Sequence, residues 1–112
     1  MSNREFSAKG YGDQFVWIDF QVFFSEANMA KDYLELCEKH NWVFINNFRK
    51  LTDLDNNMVR RFISFLDITY TKGSKICVLE KQDFISNLYE GETLQYLWHR
   101  AQSRLKEALF IK

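Results

Sequence analysis

Four arginines have the residue type and spacing to do chemistry. Arg60 and Arg61 are adjacent in "NNMVRRFISFLDITYTKGSKICV", Asn56 to Val78, and Arg100 and Arg104 lie one helical turn apart in "HRAQSRLKE". A guanidinium is always charged and presents a rigid fork of donors, so a fixed arginine suits a carboxylate or phosphate where lysine would serve poorly. The plainer alternative is that the stems cover apolar surface while the charged heads stay in water. Among the acids Asp19, Asp32, Asp53, Asp55 and Asp67, the one close pair on a single element is Asp53 with Asp55. That pair opens a helix, where the dipole and free N–H groups favour negative charge, so capping accounts for it.

Other chemistries find little support. No GxxxxGK[ST], GxGxxG or GxSxG segment occurs, so the chain has neither a phosphate-cradling loop nor a nucleophile elbow. His40 and His99 are the only histidines, and neither is at ligand spacing from a cysteine or another histidine, which argues against zinc. A catalytic histidine would also need convergent partners, and none is visible.

The elements that must position these arginines follow from periodicity. Val59, Phe62, Ile63, Leu66 and Tyr70 recur at helical spacing, so that face seeks a core and Arg60-Arg61 lie off it. Leu94, Leu97, Trp98, Ala101, Leu105 and Ala108 form the apolar face of a last helix, about Thr93 to Ala108, with Arg100 and Arg104 on its border. "FVWIDFQVFF", Phe15 to Phe24, reads as a strand running into a loop. Ser25 is a candidate N-cap for the helix that follows, with Ala30, Tyr33, Leu34 and Cys37 on one face. "WVFINNF" and "KICVL" read as strands buried on both faces, and Gly73 ends the Arg60 helix. Gly10 and Gly12 mark a turn after a short first strand.

The order strand, strand, helix, strand, helix, strand, helix predicts an α/β fold: a small, mostly parallel sheet with helices packed on it. Residues 1–14 form a polar segment with a short strand, and 15–112 a single domain. At 112 residues, 46% hydrophobic and 17% aromatic, the chain can build one core. Fifteen basic residues balance fifteen acidic ones, so no nucleic-acid partner is expected. Cys37 and Cys77 read as buried reduced thiols, and the polar N-terminus and lack of a long apolar run predict a soluble, intracellular protein without a transmembrane segment.

Five pieces then stand in a recognisable order: "FVWIDF", "DYLELCEKHNWVFINNF", "RRFISFLDITYTKGSKICV", "LYEGETLQY" and "HRAQSRLKE". From about Arg4 to Glu107 the chain resembles the C-terminal region of the ZapE-like family of AAA-type ATPases, bacterial division-associated proteins with mitochondrial relatives. Trp17, Asp19 and Phe20 match a WFDF-like strand, and Asp32 with Tyr33 a helix start. Arg60, Arg61, Phe62, Ile63, Asp67 and Tyr70 match an RRFI helix. Tyr89 and Gly91 match a Tyr-x-Gly turn; Arg100, Ser103 and Arg104 match the closing R-x-x-SRL helix. The family's nucleotide-binding Walker segments lie upstream of this region and are not in this sequence. Arg49 stands where the family has proline, Phe23-Phe24 where it has Leu-Cys, and Leu79-Glu80 where it has a small Ser-Ala pair.

The resemblance implies a non-catalytic interaction or regulatory module with no cofactor, not binding ATP by itself. Its partner would be a full ATPase subunit or a division-type client such as FtsZ, in the cytoplasm or, alternatively, the mitochondrial matrix. The competing implication is a partial ATPase component that lends arginines in trans to a nucleotide on another subunit. Either way, Arg60, Arg61, Arg100, Ser103 and Arg104 are the candidates to face a partner or a phosphate. Trp17, Asp19, Phe20, Asp32, Tyr33, Asp67, Tyr70, Tyr89 and Gly91 are expected to be structural.

Overall fold

The computed structural model describes residues 8–11, 15–26 and 30–111. Five strands, β1 (Ala8–Tyr11), β2 (Phe15–Asp19), β3 (Trp42–Asn46), β4 (Lys75–Val78) and β5 (Leu109–Phe110), form one sheet in sequence order. Strands β2 to β5 are parallel, and β1 pairs antiparallel with β2 at the edge. The helices are α1 (Phe20–Phe23), α2 (Ala30–Lys39), α3 (Asn56–Lys72), α4 (Gln82–Ser86) and α5 (Gln95–Leu105). The α/β class and mostly parallel sheet are as expected from the sequence. The two-residue β5 and the single-turn α4 are too short to leave a periodic signal.

Because each crossover moves one strand further in the same direction, right-handed connections place the long helices on one face. Burial alternates accordingly. Val16, Ile18, Val43, Ile45 and Val78 are buried beneath the helices. Phe20, Phe23, Phe24, Tyr33, Phe62 and Phe65 interlock above them, with ring centroids of Phe62 5.0 Å from Phe20 and 5.2 Å from Phe24. Offset and edge-on ring pairs of this kind add specificity to the bulk apolar burial.

The opposite face corrects a sequence expectation. β3 is not buried on both sides: Trp42, Phe44 and Asn46 are only half-buried, as is Trp17, while Phe15 is 41% and Leu109 50% exposed. No second layer of helices exists among the described residues to cover them, since all three long crossovers were spent on the other side. The face is aromatic, with Phe15 edge-on to Phe44 at 5.9 Å and Trp42 stacked with Phe44 at 6.1 Å.

Several local expectations change as well. Gly10 lies inside β1, where the register slips between Ala8 and Gly10, rather than in the turn; Gly12 lies outside the described residues. Ser25 does not cap α2; its hydroxyl donates to Val22 O at 2.8 Å and closes α1. On α2 the buried residues are Asp32, Tyr33, Leu36 and Cys37, with Ala30 exposed and Leu34 half-buried. Helix α5 starts at Gln95 and ends at Leu105, inside the predicted span, because Asp53 caps the turn before it and Ala108 leads into β5. Gly73 does end α3, at φ 76°, with its N–H bonded back to Thr69 O and Tyr70 O. Cys37 and Cys77 are both buried and free.

Candidate functional site

The arginines occupy three different environments. Arg61 points toward the start of the fold: its guanidinium donates to Phe24 O at 3.0 Å and Ser25 O at 3.2 Å, tying the end of α1 to α3. Two carbonyls just past the end of α1 gain a charged donor. Arg61 is therefore a brace between α1 and α3, made through one guanidinium nitrogen. Arg60, one residue earlier, is exposed and donates no hydrogen bond among the described residues.

Arg100 and Arg104 converge on Asp67. Arg104 Nε is 2.7 Å from Asp67 Oδ1, and Arg100 Nη2 is 3.5 Å from Oδ2. The Arg104 guanidinium also lies over the Tyr70 ring, 4.1 Å from its centroid. Spacing explains the cluster. Asp67 and Tyr70 are three apart on α3, Arg100 and Arg104 four apart on α5, so each pair shares a helix face. Parallel packing of the two helices then brings one face against the other. Tyr70 is thus not core, as the stripe suggested; it is 53% exposed and serves as a platform for Arg104. Ser103 is exposed on the same helix and outside this cluster.

A partly exposed pair of this kind is worth little unless geometry fixes it, and here the short Nε contact and ring stacking do so. In a double-mutant cycle of Asp67→Ala and Arg104→Ala, urea unfolding should show a coupling of about 1 kcal/mol, and Arg100→Ala a smaller one.

At the other end of the same two helices lies a second polar cluster. Asp53 Oδ1 accepts from the Tyr89 hydroxyl at 2.7 Å and from the Thr93 N–H at 3.1 Å, while Oδ2 accepts from the Glu92 N–H at 3.0 Å. The Tyr89 oxygen accepts from the Leu94 N–H at 3.0 Å and lies 3.1 Å from Asn56 Oδ1. The chain is held here by a lone parallel bridge between Leu51 and Tyr89. So Asp53 does not cap its own helix; it closes the approach to α5. Thr52 and Asp55 form the capping box instead, and Asp55 also binds Arg49 through two contacts of 2.9 and 3.1 Å. Arg49 thus has its own carboxylate partner.

The Tyr89 hydroxyl, followed by the Glu92 and Thr93 amides, holds the Asp53 carboxyl down at about 2. Because that value lies below the ordinary carboxylate near 3.9, the stabilisation is complete above the ordinary value. It is lost as pH falls from there through about 2. Asp53→Asn should flatten that part of the acid-unfolding profile, leaving the part due to Asp55, which Arg49 and the Thr52 amide also hold low.

The remaining motif residues are structural and separate. Asp19 accepts from Val22 N at 3.1 Å and from Asn47 Nδ2 at 3.0 and 3.1 Å. Asn47 has φ 62°, a left-handed conformation that asparagine tolerates. Phe20 and Tyr33 are in the core, Asp32 is buried beside them on α2, and Trp17 lies on the open sheet face. Asn47, Asn56 and Arg49 are not singled out as site residues by the sequence, since polar side chains in loops and at a helix's first position carry no periodic signal. Among the described residues no group of three His, Cys, Asp or Glu could hold a metal ion, and no helix is long and apolar enough to cross a membrane.

The sequence model of the AFG1-like ATPase family matches residues 1–109. The cell division protein ZapE of Escherichia coli K12 is 25% identical over 107 residues, covering 96% of this chain and 28% of that protein. An uncharacterized protein of Schizosaccharomyces pombe, C115.02c, is 26% identical over 73 residues, which is 65% of this chain and 16% of that one. No solved structure gives a significant match. The chain spans little more than a quarter of the curated ZapE proteins it matches. With the family match running across nearly all of its length, the chain belongs to the AFG1-like ATPase family.

Proposed function

We propose that this chain is a non-catalytic interaction module that binds a protein partner, foremost an AFG1-like ATPase subunit, in the cytoplasm. One observation carries the reading: a parallel sheet covered by helices on one face and presenting Phe15, Trp17, Trp42, Phe44 and Leu109 on the other. Parallel sheets are normally covered on both faces, so an aromatic one that no helix covers among the described residues is suited to a partner's apolar surface. The family relatives, of which this region is a small part, supply the candidate partner.

The arginine pattern supports the same side. Arg61 and Arg104 are committed to internal acceptors, and Arg100 shares Asp67. A component that lends arginines in trans would have to rely chiefly on Arg60, which is exposed. The two readings separate when the chain is mixed with the AFG1-like ATPase of the same cell. The interaction reading expects binding of similar strength with and without ATP, and turnover unchanged by Arg60→Ala. Stimulated turnover that disappears in Arg60→Ala would favour the arginine-donor reading and overturn this one.

A further inference from the structure

We infer that the groove at the N-terminal edge of the sheet binds an acidic peptide segment bearing an aromatic or other large apolar side chain. The inference rests on the interaction reading above and names what the partner presents at one part of the surface. The groove, about 530 Å³, runs between the α3–β4 turn at Gly73 and Ser74 and the α5–β5 turn at Glu107 and Ala108. Trp42 and Leu109 line it and also belong to the open sheet face, so the two surfaces are continuous. Its volume suits a few side chains.

Its chemistry is specific. Two aromatic walls each carry a cation: Lys75 Nζ is 5.5 Å from the Trp42 ring centroid, and Arg104 stacks on Tyr70. Arg104 is steadied by Asp67 from outside the groove. Lys75 has no carboxylate within ion-pair distance among the described residues, and Glu107 is the one acid in the lining. A cation held against a ring is partly desolvated and directed, and an incoming carboxylate completes it. The ring faces and the floor of Leu66 and Ile76 accept the apolar side chain.

A phosphate group fits less well. The backbone N–H groups at the mouth are occupied: Gly73 bonds to Tyr70 O, Ser74 to Thr69 O, and Lys75 to Asn41 O. Helix α3 also points its C-terminal, negative end at the groove, which opposes two charges concentrated on one group more than carboxylates spread along a peptide.

The test is a titration of the isotopically labelled protein with the blocked peptide Glu-Phe-Glu-Glu-Leu, followed by amide and indole NMR shifts. A Gln-Phe-Gln-Gln-Leu peptide serves as the uncharged comparison. Saturable shifts should concentrate at Ser74, Lys75, Arg104 and the Trp42 indole, and weaken with salt. Lys75→Glu should weaken binding at least about tenfold, and Lys75→Gln by less, while Glu107→Gln should strengthen it. Lys75 is exposed, so these variants leave the core intact. Equal binding of the glutamine peptide, or shifts away from the groove, would overturn the inference. A second measurement separates it from the partner reading. If Phe44→Asp abolishes binding to the ATPase and Lys75→Glu leaves it unchanged, the groove inference fails and the partner reading stands. If the acidic peptide binds at the groove and the ATPase does not bind at all, the reverse holds.

Discussion

Phe62→Ala is expected to lower the unfolding free energy by about 3–5 kcal/mol, the range for removing a large aromatic from a packed core. Phe62 is fully buried and meets four rings: Phe20, Phe24, Phe48 and Trp98, at centroid distances of 5.0, 5.2, 6.2 and 6.4 Å. Those rings come from α1, its C-cap, the segment after β3 and α5, so one truncation loosens the packing of four segments at once. A domain of this size commonly has only about 5–15 kcal/mol in total. The variant should therefore unfold at much lower urea and sit near the edge of stability at 37 °C. Tyr70→Ala on the same helix, half exposed, is the comparison and should cost less than about 1 kcal/mol.

Gly91→Ala should have the second-largest effect, about 2–4 kcal/mol in the same urea experiment. The reason is space. A Cβ at position 91 would lie 2.5 Å from Asp53 Oδ1 and 2.6 Å from both the Tyr89 hydroxyl oxygen and its ring carbon Cζ. The Tyr89 ring folds back over the glycine to reach Asp53, so the ring, the carboxylate or the turn must shift. Any of these breaks the 2.7 Å bond and exposes the amides of Glu92 and Thr93 that Asp53 satisfies. The Tyr-x-Gly spacing is thereby explained: the tyrosine supplies the hydroxyl and the glycine supplies the room. If Tyr89→Phe is already present, Gly91→Ala should cost less, because part of what the methyl disrupts is gone.

Much of this fold was legible in the sequence because its signals are strong and local. The stripe through Val59, Phe62, Ile63 and Leu66 predicted α3, and Gly73 its end; the structure has both. The strands in "FVWIDF" and "WVFIN" were equally plain, but their faces were not. Hydrophobicity alone treats Val43 and Phe44 alike. The alternation that mattered was between aliphatic residues at 16, 18, 43 and 45 and aromatics at 15, 17, 42 and 44. That pattern already distinguished the helix-covered side from the open one.

The polar clusters were less legible, for a physical reason. Asp53 looked like a cap because sequence shows only what lies next to it, and its real partners are 36 to 40 residues away. The arginines divide on the same ground. Arg60 and Arg61 are adjacent in sequence yet end in unrelated surroundings, one exposed and one bonded to Phe24 and Ser25 carbonyls. Asp67 and Tyr70 form one cluster with Arg100 and Arg104, thirty or more positions further along the chain. Of the residues named on these two helices, Asp67, Tyr70, Arg100 and Arg104 thus contact one another, while Arg60, Arg61 and Ser103 do not join them.

The measurement that tests the central claim most directly is binding of the chain to the AFG1-like ATPase of the same cell, compared between the natural sequence and Phe44→Asp. Phe44 lies at the centre of the open face, half-buried and touching Phe15 and Trp42, and its replacement leaves the helix-covered core untouched. The account predicts nucleotide-indifferent binding that Phe44→Asp weakens at least about thirtyfold, the effect of losing a central aromatic anchor. A variant that folds normally, by circular dichroism and urea unfolding, and binds the ATPase as tightly as the natural chain would contradict it.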